Sequence, residues 1–205
     1  MNAVTKFRPL LAVVLLAASA SALSGCAGTL IGAGATAGTA AAEERGLEGA
    51  IDDTKIRVQI NDLWFRKDVE MYRKVGLTIY EGRVLLTGVV ATEQARADAV
   101  RLTWQASGVK EVYNEIEVVP DGQDFSDYSH DVIISQKLKA DLLFDKDIKN
   151  INYTVDVVNG VVYLIGIAQS EAELERVVGY ARNISNVKRV VSHVIVKTDK
   201  RRIQG

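Results

Sequence analysis

Shifted by 78 residues, the chain lies over itself: residues 53–119 match residues 131–197 without a gap. Gly82 falls on Gly160, Val84 on Val162, Leu86 on Leu164 and Gly88 on Gly166. Glu93 meets Glu171 and Val100 meets Val178. Ser107-x-Val109-Lys110-x-Val112 meets Ser185-x-Val187-Lys188-x-Val190, and Val118 meets Val196. Apolar positions also agree in kind, Ile56 with Ile134, Ile60 with Leu138 and Trp64 with Leu142. A single register held this far is a duplication, and it demands the same fold twice.

Each copy reads helix, strand, strand, helix, strand. Ile134, Leu138 and Leu142 recur every four residues, one stripe of a helix, with Asp131 as a candidate N-cap. Tyr153, Val155 and Val157 alternate with Thr154 and Asp156, the period of a half-buried strand. Asn159-Gly160 then offers the positive φ angles of a tight hairpin turn, and Val161 to Ile165 return. Glu81-Gly82 stands at the same corner of the first copy. Gly88 and Gly166 close the second strand, where a Cβ is expected to obstruct the turn into the next helix. Thr92 and Ser170 cap that helix, and residues 109–118 and 187–196 give the third strand. The result is an α+β fold, a three-stranded sheet with two helices on one face, built twice in tandem. About 67 residues per copy make a marginal core, so the two copies are candidates to pack together.

The front of the chain is different material. Residues 1–8 carry Lys6 and Arg8 and no acid, and residues 10–22 are an apolar run of Leu, Ala, Val and small residues. Such a run spans only about 20 Å as a helix, short of the roughly 30 Å hydrocarbon core of a bilayer. Basic start, short apolar stretch and small residues give residues 1–25 the layout of a secretory signal peptide. Leu23-Ser24-Gly25-Cys26 resembles the bacterial lipobox, in which lipid is joined to the Cys thiol and the chain is cut just before it. Cys26 is the one cysteine of the sequence, so no intramolecular disulfide forms. A diacylglycerol and an N-acyl chain, at about 0.8 kcal/mol per buried CH₂, would anchor the protein firmly. Ala27, rather than Asp, follows the cysteine, and by resemblance to enterobacterial lipoproteins this favours the outer membrane. Residues 26–52, rich in Gly and Ala, read as a tether, with a small-residue helix as the other reading. Residues 120–130 read as a linker in which Phe125 and Tyr128 are available to dock.

Charge excludes one class of partner. The formal net charge is −1, and it becomes about −3 once Lys6 and Arg8 leave with residues 1–25. Nothing here matches the basic footprint of a nucleic-acid binder. The basic run Lys200-Arg201-Arg202 in the tail, residues 198–205, is expected to be a solvated end. No catalytic constellation emerges either. His130 and His193 have no metal-ligand spacing and are expected at the surface. No Gly-x-Ser-x-Gly nucleophile turn and no phosphate-cradling loop occurs. The acid pairs Asp52-Asp53 and Asp145-x-Asp147 read as caps or solvated charge. No cofactor, no metal and no enzymatic activity are expected.

Gly82-Arg83-Val84-Leu85-Leu86-Thr87-Gly88 and Gly160-Val161-Val162-Tyr163-Leu164-Ile165-Gly166, each followed by an amphipathic helix and Val-Lys-x-Val, resemble the BON domain. Two such domains behind a lipobox are similar to the dual-BON outer-membrane lipoproteins of the DolP type, and Glu111-Val112-Tyr113-Asn114-Glu115-Ile116 is particularly like them. The resemblance implies non-enzymatic work: binding anionic phospholipid, gathering at the division site and maintaining the outer-membrane barrier from the periplasmic side. It also implies lipid contact by the first helix of the second domain, where the family has an aromatic residue and this chain has Ile133.

The residues of that helix point the same way. With Ile134, Leu138 and Leu142 on the core side, Val132, Ile133 and Phe144 are surplus apolar groups, and Lys137 and Lys139 lie near them. Cationic heads beside exposed apolar groups suit an anionic bilayer. The equivalent positions of the first copy, Thr54, Lys55 and Arg66, are those of an ordinary solvated helix. Packing of Ile133 and Phe144 on the first module is the competing placement. A protein–protein adaptor is the competing function, favoured if Trp64, Phe65 and Trp104 are exposed.

Overall fold

Both halves of the duplication form the same layered unit in the computed structural model, which describes residues 38–120 and 128–203. The expected signal peptide, Cys26, most of the expected tether and residues 121–127 of the expected linker lie outside the described residues.

In the first module a long helix, α1 (Gly46–Lys67), is followed by the short α2 (Val69–Lys74). Strands β1 (Val75–Tyr80) and β2 (Arg83–Val90) form an antiparallel hairpin. Helix α3 (Glu93–Thr103) then crosses to β3 (Glu111–Asn114), which pairs parallel to β2. The expected single strand over 109–118 is interrupted, and its end, β4 (Glu117–Val118), pairs with β2 separately.

The second module repeats this with α4 (Tyr128–Phe144), a 3₁₀ turn (Asn150–Asn152), β5 (Tyr153–Val158) and β6 (Val161–Ala168). Helix α5 (Glu171–Arg182) leads to β7 (Arg189–Val196), unbroken and parallel to β6 along its whole length. A last short helix, α6 (Lys200–Ile203), ends the described chain. Thr92 and Ser170 cap α3 and α5 as expected, accepting from the amides of Ala95 and Glu173.

Alternation along the strands decides the architecture. Val84 and Leu86 face α1 and α3 in one core with Ile56, Ile60, Trp64, Ala99 and Leu102. Val162 and Leu164 face α4 and α5 in a second core with Ile134, Leu138, Leu142, Val177 and Ala181. The residues between them, Leu85 on β2 and Tyr163, Ile165 and Ile167 on β6, meet in a third cluster with Tyr80 and Ile195. The two sheets therefore pack face to face, each with its helices on the outside, in four layers. Every residue of β6 is buried. A strand covered on both faces reads as a continuous apolar run, as Val161 to Ala168 does.

The seam is a large part of the stability. Burying an aliphatic or aromatic side chain contributes about 1.5–3 kcal/mol. Leu85, Tyr163, Ile165, Ile167 and Ile195, all buried, together reach on the order of 10 kcal/mol, as much as a whole domain's net stability. The two modules accordingly belong to one compact unit.

Several expectations need correction. Asp131 does not cap its helix, which begins at Tyr128. Its carboxylate accepts from the amides of Asn159 and Gly160, both at 2.7 Å, clamping the hairpin turn. Asp53 does the same for Glu81 and Gly82 at 2.9 and 2.8 Å, so it is neither a cap nor solvated. Gly88 and Gly166 do not make room for the turn into the next helix. A Cβ on Gly166 would sit 2.0 Å from the Asn152 carbonyl oxygen, and one on Gly88 2.2 Å from that of Lys74. What needs the space is the chain entering the first strand.

The described part of the tail is not a free end, although Lys200 and Arg201 are exposed. Arg202 pairs with Glu81 at 2.8 Å and donates to the Glu44 carbonyl at 3.0 Å. Arg201 pairs with Asp199 at 2.7 Å and reaches Glu111. Two of these carboxylates, Glu81 and Glu111, are distant in sequence, partners that a local reading of the tail could not reveal. The tether, too, is held before Asp52: α1 already starts at Gly46, and the Glu44 amide donates to Asn152 at 2.9 Å.

Candidate functional site

Helix α4 is fixed by its inner face. Ile134, Leu138 and Leu142 are buried in the second core, and the Asp131 clamp ties the start of the helix to the β5–β6 turn. With one face committed, the outer face is determined by the roughly 100° turn per residue. It carries Val132, Ile133, Ala140, Leu143 and Phe144, with the exposed Gln136 among them. Ile133 and Leu143 are each 61% exposed and Phe144 is 85% exposed. Neither Ile133 nor Phe144 packs on the first module, because that module lies on the far side of the second sheet. Lys137 falls on one flank of the apolar strip and Lys139 on the other. Lys137 also pairs with Asp141, one turn on, at 3.1 Å.

Val132, Ile133, Lys137 and Phe144 are thus brought onto one convex surface. Leu143 belongs with them and was not singled out by sequence reasoning. The signal was present: Leu143 stands eleven residues after Val132, three helical turns along the same line.

Among the described residues no group of three or more His, Cys, Asp or Glu is placed to hold a metal ion. No described helix is long and apolar enough to cross a membrane. A polar cleft of about 680 Å³ does open in the first module, between α1, the β1–β2 turn and the tail. Its charges largely neutralise one another: Arg45 with Asp53 at 2.9 Å, Lys55 with Asp52 at 2.8 Å and Arg202 with Glu81.

Other singled-out residues serve the scaffold. His193 is not a surface residue. Its Nε2 lies 3.0 Å from the Glu115 carboxylate and its ring stacks on Tyr113, centroids 4.1 Å apart, tying β7 to the first module. Asp145 accepts from the Tyr180 hydroxyl at 2.9 Å and from the Asp147 amide. The amide above all, then Tyr180 and Arg176, hold its carboxyl below the usual range. Trp64 is core, its indole N–H donating to the Ala99 carbonyl at 3.2 Å. Phe65 and Trp104 are exposed.

Two layered α+β modules, fused back to back with their helices outward, define a tandem-repeat α+β protein. The family model for the BON domain matches residues 52–120 and 130–198. The Outer membrane lipoprotein DolP of Haemophilus influenzae is 32% identical over 89% of this chain and 94% of its own length. An uncharacterized protein of Anaplasma centrale is 41% identical over 74% of this chain and 99% of its own. Osmotically-inducible protein Y of Escherichia coli is 25% identical over 72% of this chain and 74% of its own. The chain belongs to the BON-domain family, among the dual-BON outer-membrane lipoproteins of the DolP type.

Proposed function

We propose that the mature protein is held to the outer membrane by acyl chains on Cys26, after removal of residues 1–25, and leans on an anionic phospholipid surface through α4. The reading is non-enzymatic. Anchor and body act together to support the envelope barrier, with enrichment at the division site where acidic lipid gathers. One observation carries it: the outward strip of Ile133, Leu143 and Phe144, flanked by Lys137 and Lys139. Apolar groups enter the headgroup boundary while the ammonium groups meet lipid phosphates. Once the N-terminus is anchored, this contact is effectively intramolecular, so a weak affinity suffices.

Vesicle co-sedimentation of the unlipidated chain tests the helix face. Pelleting is expected with vesicles containing phosphatidylglycerol, reduced with purely zwitterionic ones, and lost in Ile133→Asp and Phe144→Asp. Equal pelleting of all three proteins on both vesicles would remove α4 from the membrane. Fractionation of Cys26→Ala beside the intact chain tests the anchor.

The adaptor reading keeps one specific support. Phe65 and Trp104 are each more than half exposed on the first module, and large aromatic groups dominate protein contact energies. Envelope crosslinking of an Ile133 variant separates the readings: retained protein partners with lost vesicle binding favour lipid at α4.

A further inference from the structure

Helix α1 has two apolar faces. Ile56, Ile60 and Trp64 fill the core, and Leu47, Ile51, Val58 and Phe65 run along the opposite side, in solvent. Val58 is 64% exposed, more than any other described Val or Ile of that module's exposed set. Val69, at the start of α2, is exposed as well, and Tyr72 meets Phe65 edge to face at 5.8 Å. The positions Thr54, Lys55 and Arg66, which made this helix look ordinary, are simply not where its surplus apolar residues lie.

The spacing of this stripe is palindromic. Ile51 and Phe65 stand seven residues before and after Val58, and Leu47 and Val69 stand eleven before and after it. Seven and eleven residues are two and three helical turns, so Leu47, Ile51, Val58 and Phe65 share one line of α1, while Val69 lies beyond the extended Asp68, at the start of α2. A helix laid antiparallel on its own copy, with the two-fold axis at Val58, opposes Ile51 to Phe65. Val58 meets itself.

The charges obey the same symmetry. Glu48, Lys55, Asp62 and Arg66 lie along one flank of the stripe with alternating sign. In the antiparallel arrangement that flank faces the same flank of the copy. Within one chain Lys55 pairs with Asp52 at 2.8 Å and Arg66 with Asp62 at 2.9 Å, both pairs exposed. In the antiparallel arrangement Lys55 comes beside Asp62 of the second chain and Glu48 within reach of its Arg66, extending each pair across the axis. On the other flank Arg57 is turned inward, donating to the Leu77 carbonyl at 2.7 Å, so it brings no like charge to the axis. Self-complementarity of apolar and charged positions about one point is the requirement of an isologous contact.

We propose that the outer face of α1 is a self-association surface, and that its occupant is α1 of a second copy of this chain, antiparallel about Val58. The four-layer order places this face opposite to the outer face of α4. Pairing through α1 therefore leaves both α4 surfaces uncovered, one on each chain.

A residue on a two-fold axis meets its own copy, which supplies a direct test. In the full chain carrying Cys26→Ala, Val58→Cys holds the only thiol. Mild oxidation should give a covalent dimer at least tenfold faster than Glu175→Cys on exposed α5. Sedimentation equilibrium should show a dimer that Val58→Asp dissociates while circular dichroism is unchanged. Lys55→Asp should weaken the dimer and Lys55→Asp with Asp62→Lys should restore it, a rescue that a general loss of solubility would not produce. A monomer at every concentration to about 1 mM, with Val58→Cys crosslinking no faster than Glu175→Cys, would overturn the proposal. So would a Val58→Asp defect seen only in vesicle binding, or a Val58→Cys thiol that crosslinks only to a different protein in envelopes. Vesicle binding lost through Ile133→Asp but kept in Val58→Asp distinguishes failure at α4 from failure at α1.

Discussion

Arg83 on β2 donates from Nη2 to the carbonyl oxygen of Gly166 on β6, 2.9 Å away across the seam between the two modules. Its Nη1 donates to the carbonyl of His193 at the same distance. The equivalent residue of the second module is Val161, so the duplication has been made asymmetric at this point. Val161 has no side chain able to return these two hydrogen bonds, although Asn159 and His193 of the second module reach Glu117 and Glu115 of the first. Hydrogen bonds made by a charged group contribute about 1.5–3 kcal/mol, and removing the donor leaves carbonyls buried without it. Arg83→Leu is expected to lower unfolding stability by about 2–4 kcal/mol in urea denaturation. Hydrogen exchange should rise first at Tyr163 and Ile165, the seam side of β6.

The paired clamps Asp53 and Asp131 give a second prediction. Each carboxylate holds two consecutive turn amides, and each is buried. Asp131→Ala should cost about 2–4 kcal/mol, because two amide donors lose a charged acceptor in a buried place. Asp131→Asn keeps one acceptor oxygen and should fall about halfway between. Equal stability of the three proteins in chemical denaturation would mean that water replaces the carboxylate without loss.

Much of this fold is written in local pattern. The repeat, the hairpin corner at Asn159-Gly160 and the caps Thr92 and Ser170 follow from periodicity and turn chemistry, and the structure has them. What did not show is whatever depends on the second module lying against the first. Leu85 and Ile165 look like ordinary strand residues until a second sheet covers them. His193 gains its role from Glu115 and Tyr113, and Arg202 from Glu44 and Glu81, partners far away in sequence. The candidate site was legible because it is a single helix: Ile133 and Phe144 stand out once Ile134, Leu138 and Leu142 are assigned to the core. Leu143 was missed because it neighbours a core residue. The stripe on the first helix was missed because its members fall outside the positions that the repeat matches to Val132, Ile133 and Phe144.

Two glycines should respond in opposite directions. Gly166 has φ +149° and no room, with the Asn152 carbonyl 2.0 Å from where a Cβ would stand. Backbone must move to admit Gly166→Ala, and a loss of about 3 kcal/mol or more is expected, at the upper end for a point mutation. Gly179 lies inside α5 with nothing within 4 Å of an added Cβ. Gly179→Ala should raise stability by about 0.5–1 kcal/mol, since alanine loses less conformational entropy in a helix. The difference in thermal midpoint between the two variants measures both at once.

Acid should unfold the protein through identifiable carboxylates. A hydrogen bond from Arg101, 2.7 Å away, holds Asp98 down to about 2 from its ordinary 3.8. Arg201 does the same for Asp199, through its guanidinium and its amide, also to about 2. A folded-state pKa below the unfolded value means that the unfolded chain binds more protons in the interval between the two. The contribution is therefore complete above about 3.8 and is lost as the pH falls toward about 2. Stability should stay level with respect to these two groups from neutrality to about pH 5 and drop steeply below 4. Asp98→Asn and Asp199→Asn remove one titrating group each. Each should start less stable at pH 6 and then show a shallower acid limb, with proton uptake on unfolding reduced by as much as about one. Parallel acid limbs for the variants and the native chain in denaturation at pH 6, 4 and 2.5 would assign the acid sensitivity elsewhere.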